Sequence, residues 1–322
     1  MDAKFLGKLY RQLKRNHPEL IGLGIGWRTK GGRVQKQPAV RLVVGKKQSA
    51  KAKSVRQFPR QIDVKAGRGK RPISMRIFTD VEEAGEWLPT SFPLIINGVP
   101  EVTASCFASW QSSDGVRHVG IVTVAHAFQG PGQPVGITAG NGVVPGIVFL
   151  RSDLITDGLD VGLVELTQNS ASFLPCLPRP MNPGAGSVNA TINMLGLSET
   201  DPLFAVMESW FSNSPAQGRA LSYYVSRTVQ TPTGQSYELR SVVLADGPLN
   251  TFVQGRSGSP WIAVSSAWNP LAIGLQSHGH AGLSFRLGLG THLATGLQWL
   301  SQQLSAQNYS QFSWAWRMDD LP

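Results

Sequence analysis

The sequence predicts a mainly β protein, in which a small basic α+β unit precedes a larger all-β assembly of the barrel or sandwich kind. Three observations carry this. About eleven short apolar, β-branched runs follow residue 94 with no βαβ alternation between them. The chain has 35 Gly and 21 Pro, which suit many short strands and turns better than long helices. Charge is divided unevenly: residues 1–80 hold 21 of the 30 Lys+Arg and 4 of the 20 Asp+Glu, a net of +17, whereas residues 81–322 hold 9 basic and 16 acidic residues and no lysine. At 322 residues the chain is long enough for two units, each with its own core.

The expected divisions are a basic α+β accessory unit over 1–85, a linker over 86–93, a β unit over 94–310 and a tail over 311–322. Phe5, Leu6, Leu9, Tyr10 and Leu13 recur at helical spacing, with Lys4, Lys8, Arg11, Lys14 and Arg15 between them, so Ala3 to Asn16 reads as an amphipathic helix with a basic outer face. Leu20 to Trp27 and Ala39 to Val44 flank Thr29-Lys30-Gly31-Gly32 as a hairpin would. A basic stretch from Lys46 to Arg60 has few apolar anchors, and strands follow at Gln61 to Val64 and Ile73 to Phe78. Gly85, Pro89 and Pro93 mark the linker.

In the β unit, strands are expected at Val102–Trp110, Val116–Val124, Val135–Ala139, Val143–Leu150, Val161–Leu166, Val188–Met194 and Ala205–Trp210. Ala220–Val229, Tyr237–Val243, Trp261–Val264 and Leu271–Gln276 continue the series. Leu293, Leu297, Leu300 and Leu304 form one face of a terminal helix.

No apolar run reaches 18 residues and the N-terminus lacks the layout of a secretory signal, so a cytoplasmic location, or a trimmed mature form, is the expectation. Cys106 and Cys176 set no disulfide framework and no CxxC spacing, and they read as buried free thiols. No metal and no cofactor are expected. The basic first eighty residues suit an acidic protein or a polyanion, or are simply a solvated face; their aromatics form no stacking motif for nucleic acid.

The chemistry gathers at three places. Gly255-Arg256-Ser257-Gly258-Ser259-Pro260 sets a serine between glycines on a short loop that enters the apolar run Trp261-Ile262-Ala263-Val264, which suits an exposed nucleophile ringed by backbone N–H groups. His126 ends the apolar strand Ile121 to Ala125. Asp160 opens the apolar run Val161-Gly162-Leu163-Val164, where a carboxylate is costly unless it is paired, as an aspartate orienting a histidine would be; Asp153 and Asp157 lie in a polar turn and read as solvated.

In the order His, Asp, Ser, the segments Thr123-Val124-Ala125-His126-Ala127, Leu159-Asp160-Val161-Gly162-Leu163 and Gly255-Arg256-Ser257-Gly258-Ser259-Pro260 resemble the chymotrypsin/trypsin-like serine peptidases, whose counterparts read T-A-A-H, D-I-A-L and G-D-S-G-G-P. Ile273 to Gly279 is similar to the family's substrate-binding strand, G-x-x-S-W-G, and the likeness spans residues 95 to 307. It implies a chymotrypsin-like double β-barrel with a C-terminal helix, and a serine endopeptidase acting on a protein or peptide substrate. Ser257 is then the nucleophile, His126 the general base and Asp160 its orienting group, with the oxyanion hole made by the N–H groups of Gly255 and Ser257. The resemblance further implies substrate contacts at Ser277, His278 and Gly279, with Thr251 near the floor of the specificity pocket. His278 and His280 suit acidic or polar side chains, or else line a turn.

Two residues depart from the family. Arg256 stands where secreted members carry an aspartate that receives the new N-terminal amine after proenzyme cleavage, so activation by a cut ahead of Ile95-Ile96-Asn97-Gly98 is not expected. Ser259 replaces a glycine. These departures keep an inactive peptide- or partner-binding module as the alternative, beside a polyanion-binding protein that uses its basic segment. The segments Ile21 to Trp27 and Pro38 to Val44 also resemble an extension, VVGVGIGY…PALVVFV, that precedes trypsin-like domains in some bacterial and plant proteins; this implies a regulatory or targeting role for residues 1–85.

Overall fold

The computed structural model describes residues 3–30, 33–45, 58–66, 73–83, 88–89, 102–139, 142–167, 183–192, 218–230, 235–253, 256–264 and 270–322. Helix α1 (Ala3–Asn16) opens the chain, followed by β1 (Leu20–Lys30), β2 (Arg33–Val44), β3 (Gln61–Ala66), β4 (Ile73–Glu83) and the two-residue β5 (Leu88–Pro89). Then come β6 (Cys106–Gln111), β7 (Arg117–Thr123), β8 (Pro134–Ala139), β9 (Gly142–Arg151), β10 (Gly162–Leu166) and β11 (Gly184–Ala185). A short helix α2 (Val188–Ile192) precedes β12 (Arg219–Gln230), β13 (Ser236–Asp246), β14 (Pro260–Val264), β15 (Pro270–Gly279) and β16 (Leu287–His292). Helix α3 (Leu293–Ala306) and β17 (Ser310–Ala315) follow.

The strands form two sheets. Six strands run in the order β17-β6-β7-β10-β9-β8, and eleven in the order β11-β15-β16-β13-β12-β1-β2-β4-β3, with β14 and β5 also on β15. The protein is thus mainly β as expected, but neither sheet order closes into a barrel among the described residues. The first sheet, α3 and the buried Trp316 share one core. The expected tail is therefore an edge strand: β17 pairs with β6, and Trp316 Nε1 donates to the Pro183 carbonyl at 2.8 Å.

The basic and acidic parts of the sequence differ in charge but are joined by hydrogen bonds. β1 pairs with β12, with Gly24 opposite Tyr224, and a Cβ at Gly24 would meet the Tyr223 carbonyl oxygen at 2.3 Å. Glycine at this position lets the two strands meet with Tyr224 packed between them. Leu6, Leu9 and Leu13 of α1 enter a core that also holds Trp261 and Ile273 of the second sheet, each leucine contributing about 2 kcal/mol by burial. A polar knot joins the same strands. Glu82 on β4 accepts from Tyr224 Oη at 2.6 Å and Arg227 Nη1 at 2.6 Å on β12, and from Arg41 Nη2 on β2. Burial alone would raise the Glu82 pKa, but the Arg41 and Arg227 charges outweigh it and hold the group down at about 2.

One expected strand is a helix. Val188–Ile192 turns because Ser187 caps it, its Oγ accepting from Ala190 N at 3.1 Å and its carbonyl from Thr191 N at 2.9 Å. The sequence singles out strands at β1 to β4, β6 to β10 and β12 to β15; it does not reveal β16 or β17. The expected strand Ala205–Trp210, residues 46–57, Ile95 to Gly98 and Cys176 lie outside the described residues, whereas Cys106 is buried and free.

Because the folded-state pKa of Glu82 lies below its ordinary value, its contribution to stability is present above about pH 4.5 and is lost as pH falls toward 2. Glu82→Gln should lower unfolding stability by about 3 kcal/mol at pH 7, measured by urea denaturation, with the difference from wild type shrinking toward pH 3. A difference that does not vary with pH would contradict the charge assignment.

Candidate active site

His126 and Asp160 are brought together by the first sheet. β7 pairs with β10, so the turn leaving β7 and the residues entering β10 lie side by side. Asp160 is wholly buried, as its place before an apolar strand requires. Its Oδ1 accepts the backbone N–H of Ala125 at 2.8 Å and of His126 at 3.0 Å, and its Oδ2 lies 2.6 Å from His126 Nδ1. Oδ2 also accepts the Ser277 hydroxyl, which reaches it from β15 of the second sheet. Burial by itself would raise the Asp160 pKa, but the charge and hydrogen bond of His126 and the Ser277 hydroxyl hold it well below the usual carboxylate range. An ionised Asp160 only accepts, so the neutral form of the His126 ring carries its proton on Nδ1 and leaves Nε2 bare. That nitrogen is buried and has no hydrogen-bond partner among the described residues.

Ser257 lies on the loop before β14, and its side chain is buried, not exposed as its flanking glycines suggested, because the loop packs against Thr103 and β15. Its Oγ donates to the Ser277 carbonyl at 3.3 Å. Ser277 therefore touches the serine through its backbone and the aspartate through its hydroxyl. The loop's shape depends on Gly258, whose φ is +87° and whose site has no room for a side chain: a Cβ there would meet the Thr103 carbonyl oxygen at 1.9 Å. Gly258 N donates to the Gln276 carbonyl at 2.8 Å and Ser259 O accepts from Gln276 N at 2.9 Å, fixing the loop against β15.

Arg256, which departs from the family pattern, is half-buried and donates from Nη1 to the Thr251 carbonyl at 2.8 Å. Thr251 is in turn tied through Oγ1 to the Pro248 carbonyl at 2.8 Å. The cation thus braces its own loop with a neutral carbonyl. Thr251 is buried in that brace, and Gly279 ends β15 opposite Gly288. Gly255 lies outside the described residues.

His278, expected to contact substrate or to line a turn, is instead buried and completes a directed chain. Burial, the larger effect, and the nearby His126 push its pKa down to about 3, against the attraction of Asp160, so the ring is neutral near pH 7. Ser277 spends its proton on Asp160 and accepts from His278 Nδ1–H at 2.6 Å; His278 Nε2 then accepts from Tyr237 Oη. Hydrogen bonds run from Tyr237 through His278 and Ser277 to Asp160, all pointing toward the carboxylate. Burial, and then the Asp160 charge, raises the Tyr237 pKa, which keeps its proton available to donate. Nothing in the sequence marks Tyr237, which looks like any strand aromatic near the start of β13.

Among the described residues no group of three or more His, Cys, Asp or Glu could hold a metal ion, and no helix is long and apolar enough to cross a membrane. No protein-family model matches the chain, and no curated protein does. Among solved structures the chain is similar to the active form of the Rv3671c protease from M. tuberculosis, with 15% identity over 65% of this chain and 82% of that one and a TM-score of 0.37. This is a coarse likeness to a protease.

The ring of His278 should keep the shifts of a neutral Nδ1–H tautomer from pH 8 down to pH 5 in nitrogen-15 NMR. Protonation inside that range would contradict the directed chain.

Proposed function

We propose that the protein is a serine endopeptidase, with Ser257 as nucleophile, His126 as general base and Asp160 as the group that fixes the imidazole. One observation carries this reading: His126 Nδ1 lies 2.6 Å from a buried carboxylate while its buried Nε2 has no hydrogen-bond partner among the described residues, and Ser277 links that carboxylate to the Ser257 hydroxyl. A histidine held in this way is ready to take a proton. In the proposed reaction, Ser257 Oγ attacks a peptide carbonyl and its proton passes to His126 Nε2. The carbonyl oxygen becomes an oxyanion facing the N–H groups of Gly255 and Ser257 that the resemblance implies, each contributing about 3 kcal/mol. Collapse breaks the C–N bond, and His126 returns its proton to the leaving amine. Water then repeats the cycle in reverse on the acyl-enzyme.

A second reading, an inactive peptide-binding module, has one observation in its favour: the Ser257 hydroxyl is given to the Ser277 carbonyl and not to His126. Such bonds commonly form only when substrate is bound, so this does not outweigh the unpartnered base. An acidic partner or polyanion at the basic first eighty residues is a separate proposal; in a gel-shift assay with DNA or RNA at low salt, unchanged mobility would overturn it for nucleic acid.

A fluorophosphonate probe should label wild type and Asp160→Asn at very different rates, the variant about ten thousand-fold slower, and should not label Ser257→Ala. Folded wild type that takes no label would favour the module.

A further inference from the structure

β15 is covered along one edge by β16, and its other edge is shared. β14 occupies that edge as far as the pair Pro260 and Leu275, and Gln276 then bonds to the nucleophile loop through Gly258 N and Ser259 O. Beyond this the chain lays two of its own residues along the strand, antiparallel to it, with Pro89 opposite His278 and Leu88 opposite Gly279. They come from the stretch that the sequence marks as a linker.

The direction of the backbone bonds on β15 gives this pairing its meaning. His280 N donates to the Leu287 carbonyl on β16 at 2.9 Å. A bulge between Gln276 and His278 reverses the sides on which the backbone groups alternate, so beyond it His278 faces β16 as His280 does, and Gly279 turns its N–H and C=O toward β5. Leu88 and Gly279 are then the pair able to exchange two hydrogen bonds, and Pro89 stands opposite His278, where no N–H is called for. Proline has none to give. A peptide continuing past the position of Pro89 reaches the bulged Ser277, whose carbonyl holds the Ser257 hydroxyl and whose own hydroxyl sits on Asp160.

We propose that Leu88-Pro89 is an internal occupant of the β15 edge at His278 and Gly279, the strand that the resemblance gives to the substrate, and that an extended peptide with proline opposite His278 binds there only by displacing it. In substrate terms, the site takes peptides with proline one residue ahead of the residue that is acylated. That last assignment rests on the peptidase reading, whereas the occupancy of the edge does not.

The test uses the full chain carrying Ser257→Ala, so that nothing is cleaved, and a fluorescent peptide of the chain's own residues 83–93. Leu88→Pro removes the N–H opposite Gly279 and should release the internal strand. Peptide affinity, read by anisotropy, should then rise about tenfold, because the edge is no longer occupied for most of the time. Equal affinity with and without Leu88→Pro, or no binding to either, overturns the proposal. Hydrogen exchange at the Gly279 amide needs no variant: protection in the unaltered chain supports the occupied edge, and exchange at the rate of an exposed amide overturns it. A rise in affinity in a protein whose Ser257 takes no phosphonate label leaves the peptide site standing and removes the peptidase reading. Labelling without any change in affinity does the reverse.

Discussion

The buried carboxylate of Asp160 is the constraint on which the site depends. A charge in an apolar strand is stable only when its lone pairs are filled, and this one accepts from Ala125 N, His126 N, His126 Nδ1 and Ser277 Oγ. Three of these donors belong to the turn after β7, in the first sheet, and the fourth to β15, in the second. The same oxygens that fix the imidazole therefore also tie the two sheets together at the place where Ser257 arrives. Ser277 is the hinge of this arrangement, since its hydroxyl serves the aspartate and its carbonyl serves the serine.

Around that centre, two devices hold the Ser257 loop. Gly258 lets the chain pass against Thr103 at a positive φ, and Arg256 closes its loop on the Thr251 carbonyl. The cation there meets a neutral acceptor within its own segment. On the far side, His278 is kept neutral by burial and relays the Tyr237 hydroxyl toward Asp160.

Much of this was legible in the sequence, for reasons that can be named. A carboxylate opening an apolar run demanded a partner, and a histidine ending another apolar run offered one; the structure joins Asp160 to His126. Ser257 announced itself by the glycines on either side. Tyr237 and the short β5 could not be read, because a strand tyrosine has no distinguishing neighbours and Pro89 reads as a linker residue until its partner strand is known. The charge division at residue 80 suggested two units, yet β1 pairs with β12 and Glu82 gathers Arg41, Arg227 and Tyr224 across that division. Net charge reports on surface, and strand pairing is decided by backbone and burial, so the two need not share a boundary. The helix at Val188–Ile192 was misread for a similar reason: its apolar, branched residues suit a strand, and the Ser187 cap decides otherwise.

The central claim is that Asp160 sets which nitrogen of His126 carries the proton. Nitrogen-15 NMR of the free protein, with the His126 ring in its neutral form, reads this directly. The account requires Nδ1–H with a bare Nε2 in wild type, and loss of that preference in Asp160→Asn. A wild-type ring protonated on Nε2, or a variant with the same tautomer as wild type, would contradict it.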